Sequence, residues 1–323
     1  MHSSTSSSSV WSLLLRWDVP TLLIPLALLA LAEVAIRHRE ATVSQEVAHL
    51  RAMPAAVART VAAPTARRVV IVGNSLTRSG IDQGMLLERI MLSGASASLC
   101  VLHPSETTAR DWYYLVKNQV LAYAKPPDTL VICGTQRHFA DGGDLRYDIF
   151  ARFIAKPADW PEIVFDDLGS AGGALELALS TYSAVWANRE AVQRRVLNRA
   201  ISGYGPLAQR INAQQRTQNQ PADPPEHTHK YLEGMLALAR EHDVAVLLVA
   251  MPVAEPYTLS DDVRQLADAH HAGILDYSGR RGYEPPDFPD GLHLSPAAAT
   301  RFTRDFAAAL SPLLVHATHQ TAR

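Results

Sequence analysis

The chain has 323 residues, of which 47% are hydrophobic and 19% are charged, and its formal net charge is -2. These values describe a globular chain with enough apolar material for a full core. Because 30 basic side chains are balanced by 32 acidic ones and no long basic block occurs, the composition argues against nucleic acid as a partner.

The amino end departs from this composition. Residues 1–18 are rich in serine and are predicted to form a disordered cytoplasmic tail, and residues 19–38 contain the apolar run "VPTLLIPLALLALAEVAI". At the helical rise that run spans about 27 Å, close to the ~30 Å apolar thickness of a bilayer. It is therefore predicted to be a transmembrane anchor or a cleaved signal segment, and its long preceding region favours the uncleaved anchor. Basic residues after it favour a cytoplasmic location for the rest of the chain, although large domains cross membranes regardless of such charges.

Residues 39–66 are rich in alanine with scattered charges, which predicts a helical stalk broken near Pro54 and ended by Pro64. The stalk is expected to separate the membrane from a domain spanning residues 67–323.

Short β-branched runs alternate with amphipathic segments throughout that domain. The runs "RRVVIVG", "SASLCVLH", "DTLVICG", "DVAVLLVAMP" and "AGILDYS" predict five strands of a parallel sheet covered on both faces. The alternation is interrupted by a predicted helical insertion, residues 138–229, in which helical spacing favours core positions for Tyr182 and Trp186. In the strand order 2-1-3-4-5, Cys100 and Cys133 lie about 10 Å apart on either side of the first strand, too far for a disulfide.

Ligands of such sheets bind at the carboxyl ends of the strands, and Ser75 follows the first strand in "VVIVGNSL". Taken alone, Ser75 is most simply an N-cap hydroxyl. Far downstream, "DGLH" places Asp290 and His293 three residues apart before the last helix, where a turn can bring a carboxylate to an imidazole. A serine needs such a base and orienting acid to become a nucleophile, so the three residues predict a Ser-His-Asp triad.

Other chemistries lack their motifs. "IVGNSLTRSG" has neither the G-x-G-x-x-G spacing of a dinucleotide site nor a P-loop, and it lacks the second glycine of a G-x-S-x-G elbow. Two histidine pairs, His227 with His229 and His270 with His271, have no cysteine or carboxylate cluster to complete a metal site. We expect no cofactor and no metal.

At this point the sequence resembles the SGNH/GDSL hydrolase superfamily, whose Gly-Asp-Ser-like first motif is matched by "VGNSL" and whose Asp-x-x-His last motif is matched by "DGLH". The resemblance implies a flavodoxin-like three-layer α/β/α sandwich with a five-stranded parallel sheet, the SGNH fold. It also implies that Ser75 is the nucleophile, His293 the general base and Asp290 its orienting acid.

The two middle motifs differ from the family pattern. Where the family places an oxyanion-hole glycine after the second strand, "HPSETTARDW" has Glu106 or Ser105, whose backbone N–H can still donate. Where the family has Gly-x-Asn-Asp, "GTQRHF" offers Gln136 as the amide donor. The implied oxyanion hole is thus Ser75, Glu106 and Gln136.

The predicted anchor, the insertion and these departures look like the membrane-anchored branch that includes DltD-like and alginate O-acetylation proteins. That branch implies an acylated polysaccharide or envelope polymer as substrate and a membrane-bound O-acyltransferase as partner. It also implies a single-pass inner-membrane location with the catalytic domain on the periplasmic side. The expected activity is serine-dependent acyl transfer or ester hydrolysis; the alternative is a non-catalytic polymer-binding or assembly subunit with a degenerate site.

Overall fold

The structure is a computed structural model that describes residues 9–320 except 65, 144, 169, 209–210, 212–227 and 280–281. The side chains of residues 9–22, 43 and 315–320 are also outside this description, as are His227 and the first eight residues of the predicted tail. The remainder of that tail, predicted to be disordered, is helical from Ser9 onward.

The helices before the insertion are α1 (Ser9–Val43), α2 (Gln45–Val61), α3 (Ser75–Gly80), α4 (Gln83–Leu92), α5 (Ala109–Leu115) and α6 (Gln136–Phe139). The insertion holds the short helices α7 (Tyr147–Ile149), α8 (Trp160–Glu162), α9 (Ala171–Tyr182), α10 (Ala184–Ala187) and α11 (Arg189–Ala200). The last three are α12 (Lys230–Glu241), α13 (Asp261–Ala269) and α14 (Pro296–Gln320).

Five strands form one parallel sheet in the order β2-β1-β3-β4-β5: β1 (Arg67–Val72), β2 (Ala97–Leu102), β3 (Thr129–Gly134), β4 (Ala245–Ala250) and β5 (Gly273–Asp276). The predicted α/β class, parallel pairing and strand order are confirmed. Cys100 and Cys133 are both buried and free, on strands that flank β1.

Each face of the sheet carries its own apolar layer, as expected for parallel strands. One layer is built by α2, α5, α12 and α13 around Trp112 and Leu232. The other is built by α3, α4 and α14 around Ile90 and Phe302. The carboxyl ends of β1, β2 and β3 remain at one edge, where the loops after these strands can form a site.

The predicted stalk is partly wrong. Helix α2 runs through Pro54 without ending, and its Leu50, Met53 and Val57 are buried in the first apolar layer. These positions recur at helical spacing, so α2 has an apolar stripe that needs a partner surface. Most of residues 39–66 therefore belongs to the domain.

Helix α1 is joined to the insertion by two carboxylates. Glu33 accepts hydrogen bonds from the N–H groups of Ala184 and Val185 at 2.7 and 3.0 Å, at the start of α10. Glu40 is fully buried and pairs with Arg152 at 2.6 Å. Among the described residues, no helix is both long enough and apolar enough to span a membrane.

Two aromatic residues of the insertion differ from expectation. Tyr182 is 67% exposed and Trp186 is 37% exposed, so neither lies in the core. Helical spacing across the two positions does not hold, because α9 ends at Tyr182 and Trp186 belongs to the separate helix α10.

Candidate active site

The turn between β1 and α3 presents Ser75 at the carboxyl edge of the sheet. A Cβ at Gly73 would lie 1.9 Å from Thr77 Oγ1 and 2.9 Å from the carbonyl oxygen of Cys133, so this close turn requires glycine. The N-cap of α3 is Asn74, whose side chain accepts the N–H of Leu76 at 3.0 Å. Because Asn74 fills the capping role, N-capping does not account for Ser75.

The loop before α14 brings an acid to a base. Gly291 has a φ of 78°, which lets the chain reverse between Asp290 and His293. One carboxylate oxygen of Asp290 accepts the N–H groups of Leu292 and His293 at 3.1 and 2.7 Å. The other lies 2.7 Å from Nδ1 of His293, so the ring is fixed by its own loop.

His293 Nε2 lies 2.9 Å from Ser75 Oγ. When Nδ1–H donates to Asp290, the neutral ring has its lone pair on Nε2 and can accept the serine proton. Burial opposes ionisation of Asp290, but the hydrogen bonds from the ring and backbone of His293 and from Leu292 N–H outweigh it and lower the pKa of the carboxyl. The structure thus brings together the three predicted residues in the order that nucleophilic catalysis requires.

The loop after β2 borders Ser75. Asn74 Nδ2 donates to the carbonyl oxygen of Thr107 at 3.1 Å, which ties this loop to the nucleophile turn. Ser105 donates through its N–H and its hydroxyl to Glu46 of α2, at 2.6 and 2.7 Å. Of the two N–H groups predicted to serve an oxyanion here, that of Ser105 is therefore already used. Glu106 has a φ of 58° in this loop.

Gln136 begins α6 after β3, with only 7% of its surface exposed. Its amide nitrogen donates to Ser260 Oγ at 3.0 Å, and its amide oxygen accepts the N–H of Ser260 at 2.8 Å. The side chain thus joins the β3 edge to the start of α13. Its role as an oxyanion donor stays a prediction.

Three residues near the site were not predicted to belong to it. Glu46 lies in the segment interpreted as a stalk, and Arg146, which pairs with Glu106 at 2.6 Å, lies in the insertion. Asn74 stands beside Ser75, where its polar side chain could have suggested the cap and the link to Thr107. Among the described residues, no group of three or more His, Cys, Asp or Glu side chains is placed to hold a metal ion.

No protein-family profile and no curated protein sequence matches the chain. A similar solved structure is a GDSL-like lipase from Bacteroides thetaiotaomicron, with 12% identity and a TM-score of 0.41 over 83% of this chain and 98% of that one. TesA has 16% identity and a TM-score of 0.37 over 76% of this chain and 98% of its own. Axe2, an acetylxylan esterase from Geobacillus stearothermophilus, has 12% identity and a TM-score of 0.37 over 75% and 92%, respectively. Likenesses of this extent assign no role to a residue of this chain, and the case for Ser75 depends on its hydrogen bonds.

Proposed function

We propose that the chain is an SGNH-type serine enzyme that cleaves or transfers the acyl group of an ester. The observation that carries the proposal is the chain of contacts from Ser75 Oγ to His293 Nε2 at 2.9 Å and from His293 Nδ1 to Asp290 at 2.7 Å. A serine hydroxyl aligned on an imidazole that is itself held by a carboxylate is the arrangement that activates an oxygen nucleophile.

The chemistry is set by these atoms. Ser75 Oγ attacks the acyl carbonyl while His293 Nε2 takes the hydroxyl proton, and Asp290 stabilises the imidazolium. The tetrahedral intermediate collapses as the ester C–O bond breaks, and His293 returns the proton to the leaving oxygen. Water or an acceptor hydroxyl then attacks the acyl-serine while His293 takes its proton. The bond between the acyl carbon and Ser75 Oγ breaks, and His293 gives that proton to Ser75 Oγ.

The negative oxygen of the intermediate needs donors. We assign the N–H groups of Ser75 and Glu106 to this task, with Gln136 as the further donor that the family pattern suggests. Removing one oxyanion donor typically costs about 2.7 to 4 kcal/mol of transition-state stabilisation. The identity of the donors therefore affects the rate of the reaction more than its class.

We further propose that the ester is carried by an acylated polysaccharide or another envelope polymer. This substrate, a membrane-bound O-acyltransferase partner and a membrane-anchored location outside the cytoplasm are suggested by the sequence resemblance. A reporter fused to the carboxyl end of the full chain tests the location, since a cytoplasmic signal would contradict it.

Hydrolysis of p-nitrophenyl acetate by the full chain tests the activity. Ser75→Ala is expected to reduce kcat to background. Ser79→Ala is the matched control, because the Ser79 hydroxyl lies on the same helix and donates to the carbonyl oxygens of Ser75 and Leu76 within that helix. Equal rates for wild type and Ser75→Ala would contradict the proposal.

Transfer and hydrolysis are separated by supplying an acetylated glycan with and without an unmodified glycan acceptor. Free acetate indicates an esterase, and acetate gained by the acceptor indicates a transferase.

A non-catalytic polymer-binding subunit is the second candidate. It is favoured by one observation: the Gln136 amide is already paired through both its oxygen and its nitrogen with Ser260. That candidate predicts polymer binding that survives Ser75→Ala and no Ser75-dependent ester cleavage.

A further inference from the structure

Glu106 has an unusual backbone conformation for its place in the fold. Three non-glycine residues among those described have positive φ: Glu106, Asp243 and His271. Asp243 and His271 lie just after the ends of α12 and α13, where a left-handed residue commonly terminates a helix. Glu106, with a φ of 58°, lies instead in the loop between β2 and α5. A positive φ is energetically unfavourable for a residue with a Cβ, so the surroundings of such a residue must hold it in that conformation.

The residues on either side of Glu106 are held by hydrogen bonds within the loop and to helices α2 and α5. The Thr107 hydroxyl donates to the carbonyl oxygen of Pro104 at 2.7 Å and accepts the indole N–H of Trp112 at 2.9 Å. Ser105 is bound by Glu46 of α2. These contacts hold the residues on either side of Glu106. The Glu106 carboxylate is a further point at which the turn is held.

That side chain contacts the insertion. Arg146 Nη1 donates to the Glu106 carboxylate at 2.6 Å, and the same guanidinium is held by Asp148 through contacts of 2.9 and 2.7 Å. Helix α5, which follows this loop, also contacts the insertion, where Arg110 donates to the carbonyl oxygen of Gly143 at 2.9 Å. Arg146 is therefore a fixed donor rather than a free surface arginine, with 32% of its side chain exposed.

We infer that Arg146 is a positioning residue of the oxyanion hole: its ion pair with Glu106 holds residue 106 in the left-handed conformation that presents its N–H to the reacting carbonyl oxygen. This inference rests on the proposed function, because it takes the N–H of Glu106 as an oxyanion donor. Rotation about the φ of residue 106 changes the position of its side chain relative to the peptide group that carries this N–H. An ion pair that holds the carboxylate therefore restricts the orientation of that peptide group. The insertion thereby contributes to catalysis without touching the substrate.

A double-mutant cycle with Glu106→Gly tests the inference, since glycine adopts positive φ without a brace. We expect Arg146→Ala to lower kcat for p-nitrophenyl acetate by about three- to fivefold with little change in KM, since the pair is partly exposed and the interaction acts mainly in the transition state. In the Glu106→Gly background the same substitution is expected to lower kcat by less than about twofold. Equal losses in the two backgrounds would overturn the inference.

A further variant separates geometry from charge. Arg146→Ala also removes a positive charge from beside the Glu106 carboxylate, and a negative charge near an oxyanion slows the reaction by itself. Glu106→Gln combined with Arg146→Ala removes the charge but keeps a side chain at positive φ. Positioning predicts that kcat stays as low as in Arg146→Ala; recovery toward wild type would mean charge compensation and would overturn it.

Thermal melting gives a readout that does not need catalysis. Glu106→Gly is expected to raise the melting temperature more in the Arg146→Ala background than in wild type, because a chain that lacks the Arg146 contact gains more from relief of the left-handed residue. Equal shifts would contradict the brace, and a melting coupling without a kcat coupling would limit Arg146 to a structural role, which also overturns the inference. If wild type shows no Ser75-dependent hydrolysis, the proposed function fails, while the melting cycle still tests the brace.

Arg68→Ala is the matched control. Arg68 makes a two-contact ion pair with Asp128, as Arg146 does with Asp148, but at the opposite, amino-terminal edge of the sheet. Its loss is expected to affect melting but not kcat.

Discussion

His293 joins two parts of the chain that lie 218 positions apart, with Ser75 on one ring nitrogen and Asp290 on the other. The contact with Asp290 determines how the ring can act on Ser75. The carboxylate fixes which nitrogen carries the proton, and that choice leaves Nε2 able to accept from the serine. Because the pKa of Asp290 is lowered, its carboxylate remains charged through mildly acidic pH.

Asp290→Asn is expected to reduce kcat by about 10²- to 10⁴-fold, because an amide no longer favours the productive tautomer or stabilises the imidazolium. Steady-state hydrolysis of p-nitrophenyl acetate measures the change. Asp287→Asn is the control from the same loop, since Asp287 pairs with Arg301 at 2.6 Å and is outside the triad. Similar kcat values for the two variants would remove Asp290 from its proposed role.

The residues of the candidate site differ in how far the sequence predicts their surroundings. Asp290 and His293 interact within one turn, so their spacing in "DGLH" is enough to predict the contact. Gln136 and Glu106 find partners 124 and 40 positions away, Ser260 and Arg146. No local pattern encodes such pairs, so the engagement of Gln136 and the conformation of Glu106 emerge only from the fold.

At the scale of elements, α2 is a wall of the site rather than a spacer. Glu46 binds Ser105, and the His49 ring stacks on that of His103 with centroids 3.7 Å apart and planes within 1°. The N–H of His103 also donates to His49 Nε2 at 3.2 Å, which requires that nitrogen to be unprotonated. The helix is thus fixed to the loop that carries Glu106 by groups that depend on pH.

Acidification is expected to weaken this contact. Burial, aided by the adjacent His49, lowers the pKa of His103 from 6.5 to about 4. The unfolded chain therefore binds this proton first, and stability falls as pH drops from about 6.5 to about 4.

Thermal melting across that range measures the effect, and His103→Gln should show a shallower decline in melting temperature by a few degrees. Parallel curves for wild type and His103→Gln would contradict this linkage.

At the scale of the whole molecule, the parallel α/β fold can be predicted from the sequence. The residue at which the folded domain begins cannot. Near-continuous apolar strands separated by helices have few arrangements, so the five runs are enough to predict the sheet. The amino-terminal boundary of the domain is hard to predict because Leu50, Met53 and Val57, which form an apolar stripe at helical spacing, lie within an alanine-rich segment. Their burial makes α2 part of the core, and α1 is connected in turn to the insertion.

Glu40 is central to that connection. Its carboxylate is fully buried, forms ion pairs with Arg152 and Arg51, and accepts a hydrogen bond from the side chain of Asn188. Glu40→Ala is expected to cost about 3–5 kcal/mol of unfolding free energy, because it removes the buried partner of Arg152, whose side chain is only 10% exposed. Chemical denaturation measures the loss.

Glu176→Ala is the comparison for Glu40→Ala, since Glu176 pairs with Arg189 at a site where 43% of the arginine side chain is exposed. A surface pair of this kind is expected to contribute about 0–1 kcal/mol. Equal losses for the two variants would show that Glu40 does not hold the amino-terminal helix as described.

The most direct test of the central claim is the site of covalent modification by a fluorophosphonate, which reacts with an activated serine. Intact-mass and peptide analysis of the full chain should find one adduct on Ser75, absent from Ser75→Ala and strongly slowed in His293→Ala. No adduct on wild type, or equal labelling of wild type and Ser75→Ala, would contradict the assignment of Ser75 as a nucleophile.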